Sequence, residues 1–233
     1  MEIVDELLHP YASAPPRIAL DVAEALAGCR AVSRVTLFGS LAAGTHDGWS
    51  DIDMMCVTPG LSGAWEAATA LRELVPLRWH SPFSDLPQPS GRYWLYGESF
   101  FHSVDLSFRT ADAHERVLAE GVSGVKVIAH DLLWRDAAPS RGLDDGMQAE
   151  AGEYAFTHAL YAAAKAMKAY LRGLGDWVTI SVHMDALEAE ARALPRRPSG
   201  GSPEDVLDEA RSLYQRLLMD RLRSGISGSG SGA

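Results

Sequence analysis

Asp51 and Asp53 stand two residues apart in Asp51-Ile52-Asp53-Met54-Met55-Cys56-Val57, a stretch that reads as a β-strand halted by Pro59-Gly60. Side chains two apart on a strand share a face. Two carboxylates are therefore forced side by side, while Ile52, Met54 and Cys56 point the other way, into a core. Adjacent like charges repel unless a cation sits between them. Mg²⁺ is the natural choice, since it binds one or two carboxylates together with substrate phosphate oxygens. The pair thus requires a sheet that is buried on one face and open to a ligand at the end of this strand.

The flanking residues fit that requirement. Arg34-Val35-Thr36-Leu37-Phe38 reads as a short buried strand that ends at Gly39-Ser40. Gly39 has no side chain to block a phosphate. Ser40 offers a hydroxyl where a helix would begin, and free N–H groups at a helix start favour anions. Further on, His102 to Phe108 alternates polar and apolar residues, so Asp105 can share a sheet face with the pair. Three acids holding two metal ions would clamp the attacking and leaving oxygens of an in-line displacement at phosphorus.

The rest of the chain reads as helices around and after this sheet. Residues 17–30 carry Ile18, Val22, Ala25, Leu26 and Cys29 at helical spacing, and residues 62–74 carry Trp65, Ala68 and Leu71 on one face. Residues 77–80, 93–96 and 102–108 read as strands, with a Pro- and Ser-rich loop over 81–91. Past about residue 145 the composition shifts. Residues 147–172 are Ala-rich, residues 177–194 read as a second helix, and Ser202-Pro203-Glu204-Asp205 is a helix start with a Ser cap, a Pro at the first position and acids in the first turn. The fold class expected is α+β: a mixed sheet flanked by helices, then a helical part.

Composition narrows the chemistry. The formal net charge is −10 and Lys and Arg are scattered. A protein that grips a nucleic-acid backbone needs a basic footprint, so nucleic acid is not the expected partner. No apolar run approaches the ~20 residues that span a bilayer. The acidic start Met1-Glu2-Ile3-Val4-Asp5-Glu6 is unlike a secretory signal, which sets the expectation of a cytoplasmic protein. Cys29 and Cys56 lack clustered His partners and read as buried thiols. The Gly/Ser tail over 225–233 reads as a flexible linker.

Gly39, Ser40, Gly44, Ser50, Asp51 and Asp53, followed by a later strand acid at Asp105, form a pattern that resembles the polymerase-β-like nucleotidyltransferases. The resemblance covers roughly residues 17–110 and implies a catalytic domain over 1–138 followed by a helical domain over 145–224. It implies that Gly39 and Ser40, with Ser50, hold the phosphates of an NTP, with ATP the expected donor. It implies that Asp51, Asp53 and Asp105 hold two Mg²⁺ ions. Many members have Arg where Ala43 stands, a departure that touches the surroundings of the phosphate loop. Size and the helical part resemble the small aminoglycoside and lincosamide nucleotidyltransferases. That branch implies a small-molecule acceptor, cationic given the charge of this chain, a pocket built by the helices, and a homodimer as one arrangement. It also implies a carboxylate base, for which Glu150 and Glu153, at the start of the first C-terminal helix, are the candidates beside Asp105. The alternatives are an antitoxin-like enzyme that modifies a protein and a catalytically dead nucleotide-binding module.

Overall fold

The computed structural model describes residues 13–83, 89–120, 126–129, 151–194 and 202–227. A six-stranded mixed sheet is built from β1 (Arg34–Phe38), β2 (Ile52–Val57), β3 (Leu77–His80), β4 (Ser90–Leu95), β5 (Ser103–Arg109) and β6 (Lys126–Ala129), in the order β3-β4-β5-β2-β1-β6. Only the β2–β5 pair is parallel; every other neighbour is antiparallel. The helices are α1 (Ala14–Ala27), a single-turn α2 (Gly39–Ala43), α3 (Leu61–Leu74), α4 (Ala111–Ala119), α5 (Ala151–Leu171), α6 (Trp177–Ala193) and α7 (Pro203–Ser227). The chain is α+β, with the sheet first and three long helices last.

The alternation along the central strands sorts their faces. Ile52, Met54 and Cys56 of β2 and Val104, Leu106 and Phe108 of β5 are all buried and pack with Ile18, Val22 and Leu26 of α1 and with Ala64, Ala68 and Leu71 of α3. Each large apolar side chain so buried contributes about 1.5–3 kcal/mol. A second core joins the other part of the sheet to the last three helices. Trp49, Trp79, Trp94, Phe100 and Phe101 pack with Phe156, Leu160 and Met167 of α5, Ile180 and Leu187 of α6, and Val206 and Leu213 of α7. Trp79 meets Phe156 edge-on at 4.8 Å, and its indole N–H donates to the Thr157 hydroxyl at 3.0 Å.

Most elements follow the sequence closely, and the departures have local causes. α1 begins at Ala14, ahead of the expected residue 17, because Pro15 and Pro16 fall in its first turn, where a missing N–H costs nothing. β4 begins at Ser90 inside the expected loop, because Ser90 and Gly91 pair with Ser107 and Leu106 of β5. α4 and β6 are additional elements. α4 is capped by Thr110, whose hydroxyl accepts from the Ala113 amide at 3.4 Å. The expected domain boundary between 138 and 145, Glu150, and the tail from 228 on lie outside the described residues. Among the described residues no helix is long and apolar enough to cross a membrane.

Candidate active site

Strand register brings two of the acids together. Asp53 lies opposite Asp105 across the parallel β2–β5 pair, and opposite Phe38, the last residue of β1, on the other side. Asp51 stands just before β2, so all three acids gather where β1 turns into α2. Gly39 makes that turn at φ +69°, a left-handed conformation suited to glycine, and a Cβ there would collide with Oδ2 of Asp53. The turn and the acid are thus packed against each other with no side chain between. Ser40 follows at the head of α2, which closes at Gly44, φ +71°.

The carboxylates are not equivalent. Burial, followed by the nearby charges of Asp51 and Asp105, pushes the Asp53 carboxyl up to about 6, only partly offset by Lys168 and Arg92. Asp105, on the same face of the sheet, leans toward β4. Its register partner on β4 is Arg92, whose guanidinium donates through Nε to Oδ1 and through Nη2 to Oδ2, the latter at 2.6 Å. Among the described residues, no three His, Cys, Asp or Glu side chains converge closely enough to hold a metal ion.

The Ser50 hydroxyl points back along the loop. It donates to Oδ1 of Asp47 at 2.9 Å and accepts from the Asp47 amide at 3.0 Å. Asp47 also accepts from the Trp49 amide at 3.1 Å and from Arg172 Nε and Nη2, both at 2.8 Å. Burial works to raise the Asp47 carboxyl, but the Arg172 and Ser50 hydrogen bonds outweigh it and hold Asp47 at about 2. This knot fixes the loop immediately before Asp51. His102 supports it from below, its Nε2 lying 2.7 Å from the Gly48 carbonyl oxygen.

α5 contributes a polar face that sequence reasoning did not single out. Tyr154, His158, Tyr161, Lys165, Lys168 and Arg172 succeed one another in steps of four, three, four, three and four, which keeps them on one side of the helix. Tyr154 and His158 line an open cleft of about 400 Å³ whose other wall includes Phe38, Asp53, Arg92 and Asp105. Tyr161 lies under the Arg92 guanidinium, 3.4 Å from carbon to ring centre. Lys168, buried, reaches Oδ2 of Asp51 at 3.9 Å, and burial pulls its ammonium below the usual lysine range against the pull of Asp51. The helical period of these polar positions was the signal available. Glu153 sits in the first turn of α5 and is not among the residues that line the cleft. His80, Tyr93 and Trp94 are engaged away from the acids. His80 Nδ1 lies 2.9 Å from the Ser81 carbonyl, Tyr93 is core, and the Trp94 indole donates to the Phe100 carbonyl at 3.1 Å.

Comparison with known proteins bears on the first part of the chain. No curated protein matches the chain. Among solved structures it is similar to JHP933 from Helicobacter pylori, at 11% identity over 92% of this chain and 97% of that one, with a TM-score of 0.25. It is also similar to a second H. pylori protein, a candidate nucleotidyltransferase, at 12% identity over 89% of this chain and 98% of that one, with a TM-score of 0.24. A family model does match in part: residues 18–89, the stretch that runs from α1 through the Gly39 turn, Asp51 and Asp53 to the threshold of β4, are similar to the nucleotidyltransferase domain.

Proposed function

We propose that the protein moves a nucleoside monophosphate from an NTP, with ATP the expected donor, to a hydroxyl of a small molecule seated in the cleft between β4–β5 and α5. The observation that carries this reading is Asp53. It lies in the stretch similar to the nucleotidyltransferase domain, it is packed directly on the Gly39 turn, and its charge is opposed by Asp51 and Asp105.

A divalent cation fits the Asp51–Asp53 pair, because it would relieve the repulsion that raises the Asp53 carboxyl. When bound there, Mg²⁺ supplies charge neutralisation at the reacting phosphate. The protein's own groups do the positioning. The bare backbone at Gly39 and the Ser40 hydroxyl seat the phosphates at the head of α2. The acceptor hydroxyl oxygen attacks the α-phosphorus, the bond to the bridging oxygen breaks, and pyrophosphate leaves. The hydroxyl proton passes to a carboxylate at the cleft. Asp105 lines it and Glu153 does not, which favours Asp105 for that role.

The cleft walls also bear on the acceptor. Phe38, Pro82, Leu106 and Tyr154 give it apolar surface beside Asp53 and Asp105. Arg92, Lys168 and Arg172 balance most of the local negative charge. An acceptor with a hydroxyl and an apolar face suits these walls at least as well as a strongly cationic one. Antibiotics of the lincosamide and aminoglycoside types cover both possibilities.

The test is incubation of the full chain with Mg²⁺, each of the four NTPs and an antibiotic panel, read by mass spectrometry. A nucleotide increment on a small molecule, with pyrophosphate released, supports the reading. An increment on protein alone promotes the protein-modifying alternative. An NTP-induced rise in melting temperature with no transfer to any acceptor would promote the catalytically dead nucleotide-binding module, and no rise with any NTP would overturn both.

A further inference from the structure

Asp53, Asp105 and Arg92 lie side by side across three neighbouring strands, in register from β2 to β5 to β4. Residues in register share a face, so Asp105 has two neighbours to choose between: a carboxylate on one side and a guanidinium on the other. It takes the guanidinium, with both carboxylate oxygens engaged by the two-pronged fork. The fork is itself immobilised. The Arg92 guanidinium lies on the Tyr161 ring, 3.4 Å from its centre, and the Lys165 ammonium lies 5.1 Å from the same ring. Only 25% of the Arg92 side chain and 22% of the Asp105 side chain are exposed. A bidentate pair on an aromatic platform, mostly shielded from water, is far stronger than a surface ion pair.

We infer that Arg92 is a positioning residue that holds Asp105 away from the cation site, so that a divalent ion in the nucleotide-free protein is held by Asp51 and Asp53 without Asp105. The inference rests on the nucleotidyl-transfer reading and sharpens it. The three acids do not act as one preformed cage. Asp105 is reserved for the cleft, and β4 and α5 together keep it there. The sheet alone would leave Asp105 beside Asp53. Arg92 on β4 and its Tyr161 platform on α5 are what separate their roles.

The experiment is Mn²⁺ titration of the full chain without nucleotide, followed by electron paramagnetic resonance of the free ion. Asp53→Asn should abolish measurable binding, whereas Asp105→Asn should leave the affinity within about twofold of wild type, since a carboxylate bound in an Arg fork contributes little to a metal. Arg92→Gln should free Asp105 and tighten binding by about fivefold or more, because a third carboxylate joins the site. Arg92→Gln combined with Asp105→Asn should return the affinity to the wild-type level. A merely structural Arg92 would not produce that reversal. Arg92→Lys keeps the charge and loses the fork, and should fall between wild type and Arg92→Gln. Should Arg92→Gln fail to melt cooperatively, the Asp105→Asn and Arg92→Lys proteins decide. Loss of Mn²⁺ binding in Asp105→Asn comparable to that in Asp53→Asn overturns the inference and leaves nucleotidyl transfer standing. Wild-type protein that binds neither Mn²⁺ nor any NTP overturns the transfer reading and this inference with it.

Discussion

The ammonium of Lys168 lies 3.9 Å from Oδ2 of Asp51, with 5% of the lysine side chain exposed and 28% of the aspartate. A buried cation therefore comes from α5 to the acid that immediately precedes β2. Lys168→Met keeps the length of the side chain and removes the charge. Burying the ammonium is costly and Asp51 retains access to water, so stability should change by no more than about 1 kcal/mol. Turnover should fall by about tenfold or more, because Asp51 loses the contact that orients it. Thermal melts and steady-state transfer kinetics check both halves; unchanged kinetics would make Lys168 a purely structural contact.

The Asp53 carboxyl makes a pH prediction. It titrates at about 6 in the folded protein, against about 3.9 in an unfolded chain. A proton bound more tightly in the folded state stabilises it fully below the unfolded value, and this stabilisation is lost as pH rises through about 6. Asp53→Asn removes this proton-linked stabilisation. Without metal, the melting temperature of the variant relative to wild type should therefore be higher at pH 7.5 than at pH 5, a change of about 2.5 pH units that crosses the upper part of the window. Added Mg²⁺ should close the gap by stabilising only wild type. A gap equal at both pH values would show that Asp53 does not carry this repulsion.

Asp47 predicts the opposite sign. Its folded carboxyl sits at about 2, below the unfolded value, so its contribution is present above about pH 4 and is lost as pH falls toward the folded value. Asp47→Asn should lower stability at neutral pH and flatten the acid limb of the pH–stability profile. Arg172→Ala should do the same, since it removes both 2.8 Å bonds to that carboxylate. Chemical denaturation at pH 7 and pH 3 measures the effect; additive losses in the double variant would argue against a shared pair.

Gly39→Ala tests the turn. The substitution places a Cβ against the Asp53 carboxylate at a positive φ, and should cost about 1–3 kcal/mol of stability. NTP-induced stabilisation should disappear with it, since Asp53 and the turn would both be displaced. Retention of the full NTP shift would mean that the phosphates are seated elsewhere.

The half of the site that was legible in the sequence lies within short range of the strand pattern. Gly39, Ser40, Asp51 and Asp53 are set by two adjacent strands whose alternation is plain, and Asp105 by a third. Ile52, Met54 and Cys56 are as buried as that alternation requires. The other half is tertiary. Arg92 sat at the edge of a stretch rich in Pro and Ser, and only its pairing with β5 made it part of a strand. Lys168 and Arg172 sat in an Ala-rich run whose composition announced a helix and hid its polar face. Ser50 shows a different limit. Its place beside Asp51 suggested a phosphate contact, yet loop geometry turned its hydroxyl to Asp47.

The acids of the sheet and the cations that balance them arrive from different parts of the chain, and this constrains how the protein can be cut or recombined. A fragment that stops before α5 would carry Asp47 without Arg172, Asp51 without Lys168, and Arg92 without Tyr161. It would also expose Trp79 and Trp94 of the second core. Grafting a foreign helical segment onto this sheet would succeed only if the graft brought an aromatic ring and two cations at the spacing of Tyr161, Lys168 and Arg172. A helical part exchanged to accept a new substrate would have to keep that polar face of α5 as well as the apolar face of Phe156, Leu160 and Met167 that closes the second core.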